Sequence, residues 1–180
     1  VFVGTTIERV MRTGQHPVLM VNGDAGGAYA RVMIATDMSP ASAQAIGTAL
    51  RLGLLEQACV SLLHVLESTT RSMMVYANVA PEKIEEQAVR EAGDARQEMA
   101  HFLSRFALAG VRHDVRIEEG ETVHTIQRIA DDEKPDLMVI GIRGLAGVKR
   151  LLLGSVADAI LRGVTCDVLA VPQPPEAALS

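Results

Sequence analysis

Short apolar segments alternate with longer segments of helical composition along most of this chain. Five segments are apolar throughout or alternate apolar with polar positions, as β-strands do, and lie at residues 31–36, 60–66, 111–117, 137–140 and 168–171. Four segments have helical composition, at residues 41–55, 82–108, 122–131 and 154–161. We expect residues 67–80 to form a mobile loop. Strands that alternate with helices predict an α/β fold, with a five-stranded parallel doubly wound sheet covered on both faces.

The start of the chain resembles the end of this predicted domain. A shift of 150 positions aligns residues 3–22 with residues 153–172, and five of the twenty aligned positions are identical. Three of the five lie in residues 18–21 (VLMV), which align with residues 168–171 (VLAV). Self-similarity at a fixed spacing indicates an internal repeat, although two unrelated helix-strand units can match by coincidence.

The repeat predicts how the chain is divided. We expect residues 1–28 to be a helix-strand remnant of a preceding repeat or an N-terminal extension, residues 29–173 to form the domain, and residues 174–180 to form a flexible tail. Because an apolar edge strand tends to pair with another strand, we predict that residues 17–21 form a strand on residues 168–171 of the same or a neighbouring molecule. The alternative is a loosely packed extension, with residues 168–171 paired to their own copy in a homodimer.

Composition excludes several classes of partner. The net charge is −5, and only five of the 180 residues are aromatic, so we expect no binding of nucleic acid through a basic or stacking surface. No apolar run approaches the roughly 18 residues of a membrane span, and the first thirty residues carry no apolar signal segment. We therefore expect a cytoplasmic protein without membrane contact. Cys59 and Cys166 are isolated, which favours buried structural thiols over metal or redox roles.

A glycine motif follows the fourth predicted strand. Gly141, Arg143 and Gly144 lie in one tight segment, and Gly154 and Ser155 open the last predicted helix, which gives the spacing G-x2-G-x9-G-[ST]. Glycines let backbone amides approach an anion, and a helix N-terminus with a hydroxyl suits phosphate oxygens. The alternative is that the glycines only form a turn and a helix start. Arg143 belongs to a small basic cluster that either screens phosphate charge or faces water.

Further candidates lie at the ends of the first and second predicted strands. Ligands of open parallel sheets bind at the carboxyl ends of strands where the strand order reverses. Asp37 follows the first strand, where its carboxylate can accept hydrogen bonds from ribose hydroxyls; by itself it would also fit an Asx turn or a helix cap. Val65 can offer backbone groups to the edge of a base. His64, in the same apolar run, is better explained as a hydrogen-bonded core histidine than as a catalytic one.

These residues resemble the universal stress protein family, specifically its ATP-binding branch, over residues 31–172. The resemblance rests on G-x2-G-x9-G-[ST], on the segments VMIATDMSP and LLHV, and on GSVADAIL followed by DVLAVP. It implies an adenine nucleotide alpha hydrolase-like sheet ordered 3-2-1-4-5, and tandem members of the family contain two such domains. It also implies a nucleotide site made of Ala35, Thr36, Asp37, Val65, Ile140, Gly141, Gly144, Gly154, Ser155 and Val156.

The leading functional hypothesis is therefore an ATP-binding regulatory module of the stress response. ATP or another adenine nucleotide, with Mg²⁺, is the expected ligand, and a homodimer or a tandem-domain pairing through the last strand is the expected assembly. No Asp or Glu lies between Gly141 and Ser155, so no base for phosphoryl transfer can be named, and at most slow ATP hydrolysis is expected. The alternative is a nucleotide-independent dimeric interaction protein of the same fold.

Overall fold

The structure is a computed structural model that describes residues 16–22, 27–67, 69–142 and 155–173. Its strands are β1 (Val18–Met20), β2 (Arg31–Ala35), β3 (Cys59–Leu66), β4 (Arg112–Glu119), β5 (Leu137–Ile142) and β6 (Asp167–Pro172). Its helices are α1 (Pro40–Arg51), α2 (Thr69–Tyr76), α3 (Pro81–Leu103), α4 (Thr122–Glu133) and α5 (Ser155–Gly163). Helix α2 lies where a loop was predicted, so that prediction was wrong.

One six-stranded sheet, in the order β1-β6-β5-β2-β3-β4, forms the centre of the molecule. Strands β2 to β6 are parallel and, numbered 1 to 5 along the chain, follow the predicted order 3-2-1-4-5. Strand β1 is an additional antiparallel edge strand. The predicted α/β fold is confirmed, and the strand order reverses between the neighbouring strands β2 and β5.

Helices cover both faces of this sheet and divide the core in two. On one face, α4 and α5 bury apolar side chains against the sheet, including Ile129 and Ile160. On the other face, α1 and α3 do the same, with Ile46 and Phe102 among the largest buried side chains. Both faces of the central strands are therefore covered, which is why these strands are apolar throughout.

Local sequence sets several helix ends. Ser39 caps α1, its Oγ accepting a hydrogen bond from the Ser42 amide at 3.3 Å. Pro81 occupies the first turn of α3, because a missing N–H costs nothing there. Lys134 ends α4 in the left-handed conformation, with φ 48°, and Pro135 after it cannot continue a helix.

Within the described residues, no helix is both long enough and apolar enough to span a bilayer.

Strand β1 pairs with β6 of the same chain, in the register Val18↔Ala170, Leu19↔Leu169 and Met20↔Val168. This confirms the predicted strand in residues 17–21 and places its partner within the chain. Met20 is buried against the α4/α5 face, whereas Leu19 on the opposite face stays 43% exposed. The helix of the proposed repeat falls in residues 1–15, outside the described residues.

A carboxylate at the start of β6 fastens both ends of the segment that joins β1 to β2. The Asn22 amide donates to Asp167 Oδ1 at 2.8 Å, and the Tyr29 hydroxyl donates to Asp167 Oδ2, also at 2.8 Å. The Asn22 side-chain amide donates to the Cys166 carbonyl at 2.8 Å. We call Asp167, Asn22 and Tyr29 the Asp167 clamp. Burial, and then the hydrogen bond to Asp167, raise the pKa of Tyr29 to about 12.

Candidate functional site

A cavity of about 450 Å³ opens at the carboxyl ends of β2, β3 and β5, where the strand order reverses. The first turns of α1, α4 and α5 close its sides. Apolar side chains form most of its wall: Ala35, Ala41, Leu63, Val65, Ile126, Ile140, Ile142, Val156, Ala157 and Ile160. Polar side chains also contribute: Thr36, Asp37, Ser39, Ser42, His64, Glu67 and Thr122. An apolar interior with a few polar groups is typical of a small-molecule site.

Seven of the residues implied by the family resemblance line this cavity: Ala35, Thr36, Asp37, Val65, Ile140, Gly141 and Val156. Three separate strands, the loop after β2 and helix α5 supply them, so the fold brings together residues that are far apart in the chain. Ser155 is the first residue of α5. Arg143, Gly144 and Gly154 lie outside the described residues.

Asp37 is held by its own loop. Its Oδ1 accepts a hydrogen bond from the Ser42 hydroxyl at 2.6 Å and another from the Ser39 amide at 3.1 Å. The second contact is the Asx turn that the sequence offered as an alternative explanation, while Ser39 rather than Asp37 caps the helix. Asp37 therefore both forms the Asx turn and lines the cavity. A side chain held in this way presents its carboxylate to a ligand without first having to be ordered.

Two residues of the cavity have roles that the sequence did not predict. Ser42 looked like one more small residue of the helix, yet it is only 4% exposed and bonds directly to Asp37. Gly141 was expected to let an anion approach the backbone. In the structure, a Cβ on Gly141 would lie 2.5 Å from the Ala41 carbonyl carbon and 2.7 Å from the Ser42 nitrogen, so the residue makes room for α1.

His64 is partly buried in the cavity wall, and its Nδ1 lies 2.9 Å from the Thr36 carbonyl oxygen. Because a carbonyl only accepts hydrogen bonds, Nδ1 carries the proton, and in the neutral ring Nε2 is an acceptor. The hydrogen-bonded histidine predicted from the sequence is therefore observed, although at the cavity wall rather than deep in the core.

The three helix N-termini at the cavity are not equivalent. Glu121 caps α4, accepting hydrogen bonds from the amides of His124 at 2.7 Å and Val123 at 3.1 Å. These two bonds, that of His124 first, lower the pKa of Glu121 and keep its charge at the helix start. Ser39 occupies the corresponding place on α1. The corresponding place on α5 is residue 154, which lies outside the described residues.

The charged side chains that line the cavity are acidic. The described lining contains two acidic side chains, Asp37 and Glu67, and no Lys or Arg. Glu67 accepts a hydrogen bond from the Thr122 hydroxyl at 2.7 Å, which joins the end of β3 to the start of α4. This part of the cavity suits an uncharged group with hydrogen-bond donors better than it suits a phosphate.

Sequence comparison defines the class of protein to which this fold and cavity belong. The model of the universal stress protein family matches residues 28–172. The chain is 30% identical over 146 residues to Universal stress protein YxiE from Bacillus subtilis strain 168, an alignment covering 79% of this chain and 99% of that protein. The chain belongs to the universal stress protein family, as the sequence predicted.

Solved structures show the same fold. A putative universal stress protein from Pseudomonas aeruginosa UCBPP-PA14 superposes with a TM-score of 0.66 at 22% identity, covering 94% of this chain and 56% of that chain. A family protein from Arabidopsis thaliana, solved with AMP bound, superposes with a TM-score of 0.55 at 18% identity, covering 84% of this chain and 96% of that one. At these identities the similarity establishes the fold.

Proposed function

We propose that this chain binds an adenine nucleotide, with ATP as the expected ligand, and acts as a nucleotide-dependent regulatory module of the stress response. The observation that carries the proposal is the cavity at the strand-order reversal, lined by seven of the predicted site residues. Its volume of about 450 Å³ lies within the usual range for small-molecule sites. AMP in the Arabidopsis family member supports adenine nucleotides as the ligand class.

The chemistry of the wall suggests how the ligand is oriented. Val65 and Ile126 belong to the apolar part, which suits the flat faces of a base, and backbone groups of Val65 can meet the base edge. Asp37 suits ribose hydroxyls, because a carboxylate accepts hydrogen bonds from donors. The phosphates then extend toward the start of α5, where Ser155 and Val156 lie.

Charge supports the same orientation. Asp37 and Glu67 would repel phosphates placed at their end of the cavity, and the described lining has no Lys or Arg to offset them. We expect Arg143, Gly144 and Gly154 to complete the phosphate site. We expect Mg²⁺ to accompany ATP; among the described residues, no three His, Cys, Asp or Glu side chains are placed to hold a metal ion.

Calorimetry on protein freed of nucleotide tests the proposal directly. We expect ATP with Mg²⁺ to bind and to raise the melting temperature, because a ligand that binds only the folded state stabilises it. Gly144→Val should abolish binding, because the glycine motif predicts that phosphates approach the backbone there without a side chain in the way, while Val89→Ala on the exposed surface of α3 serves as the matched control. If the parent chain neither binds ATP nor shifts in melting temperature at millimolar ATP, the nucleotide proposal is wrong.

We also propose that residues 1–28 are the tail of a preceding repeat, so that β1 occupies the place of a neighbouring domain's last strand. Three of the four residues in VLMV match VLAV, and the P. aeruginosa structure covers 94% of this chain, more than the 28–172 family match does. Leu19→Cys and Leu169→Cys, in a background without Cys59 and Cys166, test the pairing. A disulfide within the monomer indicates internal pairing, a disulfide-linked dimer indicates exchange between chains, and no disulfide contradicts both.

A further inference from the structure

We infer that Ser42 is a positioning residue that sets the specificity of the cavity for a ribose, through its hydrogen bond to Asp37. This inference rests on the proposed function, and it names a residue and a device that the glycine motif does not contain. Ser42 lies in the first turn of α1 and is 4% exposed. Its hydroxyl is therefore a buried polar group at the edge of the ligand cavity.

The contacts of Ser42 form a closed local network. Its hydroxyl donates to Asp37 Oδ1 at 2.6 Å and accepts from the Asp37 amide at 3.2 Å, so one side chain holds both the carboxylate and the backbone of the same residue. The Ser39 amide donates to the same Oδ1 at 3.1 Å. With Oδ1 fixed by two donors, the direction of the second carboxylate oxygen is set as well.

Gly141 allows the first turn of α1, which carries Ser42, to pack close to β5. A Cβ at position 141 would lie 2.5 to 2.7 Å from the backbone of Ala41 and Ser42, closer than side chains approach a backbone. Only a glycine there lets the first turn of α1 come close enough to β5. The glycine at the start of the motif therefore acts on the ribose end of the cavity through α1 and Ser42, in addition to any role near the phosphates.

A fixed carboxylate discriminates between ligands by their hydroxyl groups. If Ser42 orients Asp37, then the loss of Ser42 removes the ability to distinguish ATP from ATP lacking a ribose hydroxyl. If Ser42 had a purely structural role, its loss would instead weaken the binding of both ligands equally. The ratio of dissociation constants for ATP and for 2′-deoxy-ATP or 3′-deoxy-ATP separates the two explanations, because changes in overall stability cancel in the ratio.

The experiment measures these ratios by calorimetry for the parent chain and for Ser42→Ala. We expect the parent to bind at least one deoxy analogue about tenfold or more weakly than ATP, as is typical for a lost hydrogen bond to a charged group, and we expect Ser42→Ala to reduce that ratio to below about threefold. Gly141→Ala should also reduce the ratio of dissociation constants. Ser42→Cys keeps the size of the side chain without a strong donor, and it provides a second test if Ser42→Ala folds poorly.

Thr48→Ala is the matched control. Thr48 is another 4% exposed hydroxyl on α1, but it contacts Arg51 and lies outside the cavity, so its loss should lower stability and leave the ratio unchanged. A parent-like ratio in Ser42→Ala, or no discrimination in the parent itself, overturns the inference while leaving ATP binding intact. A parent chain that binds no ATP instead overturns the proposed function, and the inference falls with it.

Discussion

Replacement of Asp167 by alanine should detach β1 from the sheet. The carboxylate accepts one hydrogen bond from the Asn22 amide and one from the Tyr29 hydroxyl, each at 2.8 Å, and both are partly buried. A hydrogen bond to a charged group contributes roughly 1.5–3 kcal/mol, and partial exposure favours the lower end of that range, so the loss should be about 3 kcal/mol. Tyr29→Phe removes one bond of the two and should cost about half as much.

Urea unfolding followed by circular dichroism measures this difference. With a slope of about 2 kcal/mol per molar urea, Asp167→Ala should shift the midpoint down by about 1.5 M, and Tyr29→Phe by about half of that. Amide exchange should show residues 18–20 losing protection in Asp167→Ala. A shift below about 0.3 M, with residues 18–20 still protected, would refute the view that the clamp holds β1 in place.

The same contact predicts a dependence on alkaline pH. The pKa of Tyr29 in the folded state, about 12, lies above its ordinary value of 10.0, because the phenol is partly buried and donates to Asp167. A raised pKa means that the folded state keeps a proton that the unfolded state loses. The stabilisation by Tyr29 is therefore complete below pH 10 and declines between pH 10 and 12. The difference in stability between the parent and Tyr29→Phe should narrow over that interval.

Three more predictions concern the core and the sheet. The Ser61 hydroxyl is buried without a hydrogen-bond partner among the described residues, so Ser61→Ala should be neutral or stabilise the fold by up to about 1 kcal/mol in urea unfolding. Gly141→Ala should cost about 2–3 kcal/mol because its Cβ meets backbone, whereas Gly163→Ala should cost under about 1 kcal/mol because its Cβ meets only the movable end of Gln127; melting temperatures compare the two. Burial raises the pKa of the Cys166 thiol to about 11, so at pH 8 iodoacetamide should label it far more slowly than Cys59, which is exposed and not buried as the sequence suggested.

The apolar or alternating pattern of five segments was sufficient to predict the five parallel strands, whereas their order 3-2-1-4-5 was implied by the family resemblance. Asp37 could also be placed at the ligand end of the sheet by its position directly after an apolar strand. Both predictions depend on patterns that are local in sequence, and these can be recognised without knowing which distant segments pack together.

Features that depend on packing between distant segments could not be predicted. Helix α2 lies in a segment with three exposed apolar side chains, at Met73, Val75 and Tyr76, so no amphipathic pattern marks it. The clearance at Gly141 depends on α1, about a hundred residues earlier in the chain. Asp167 looked like an isolated acidic residue, because its partner Tyr29 lies 138 positions away.

The position of β1 has a consequence for where this folded unit begins. The family match starts at residue 28, yet the sheet includes Val18–Met20 and the clamp reaches back to Asn22. A chain trimmed to the matched region would keep every parallel strand and lose the one that covers β6, whose residues 168–171 are almost entirely buried. It would then present an apolar, unpaired strand to solvent, the kind of edge that recruits other chains. The start of the family match, at residue 28, therefore lies ten residues after Val18, where the strand that covers β6 begins.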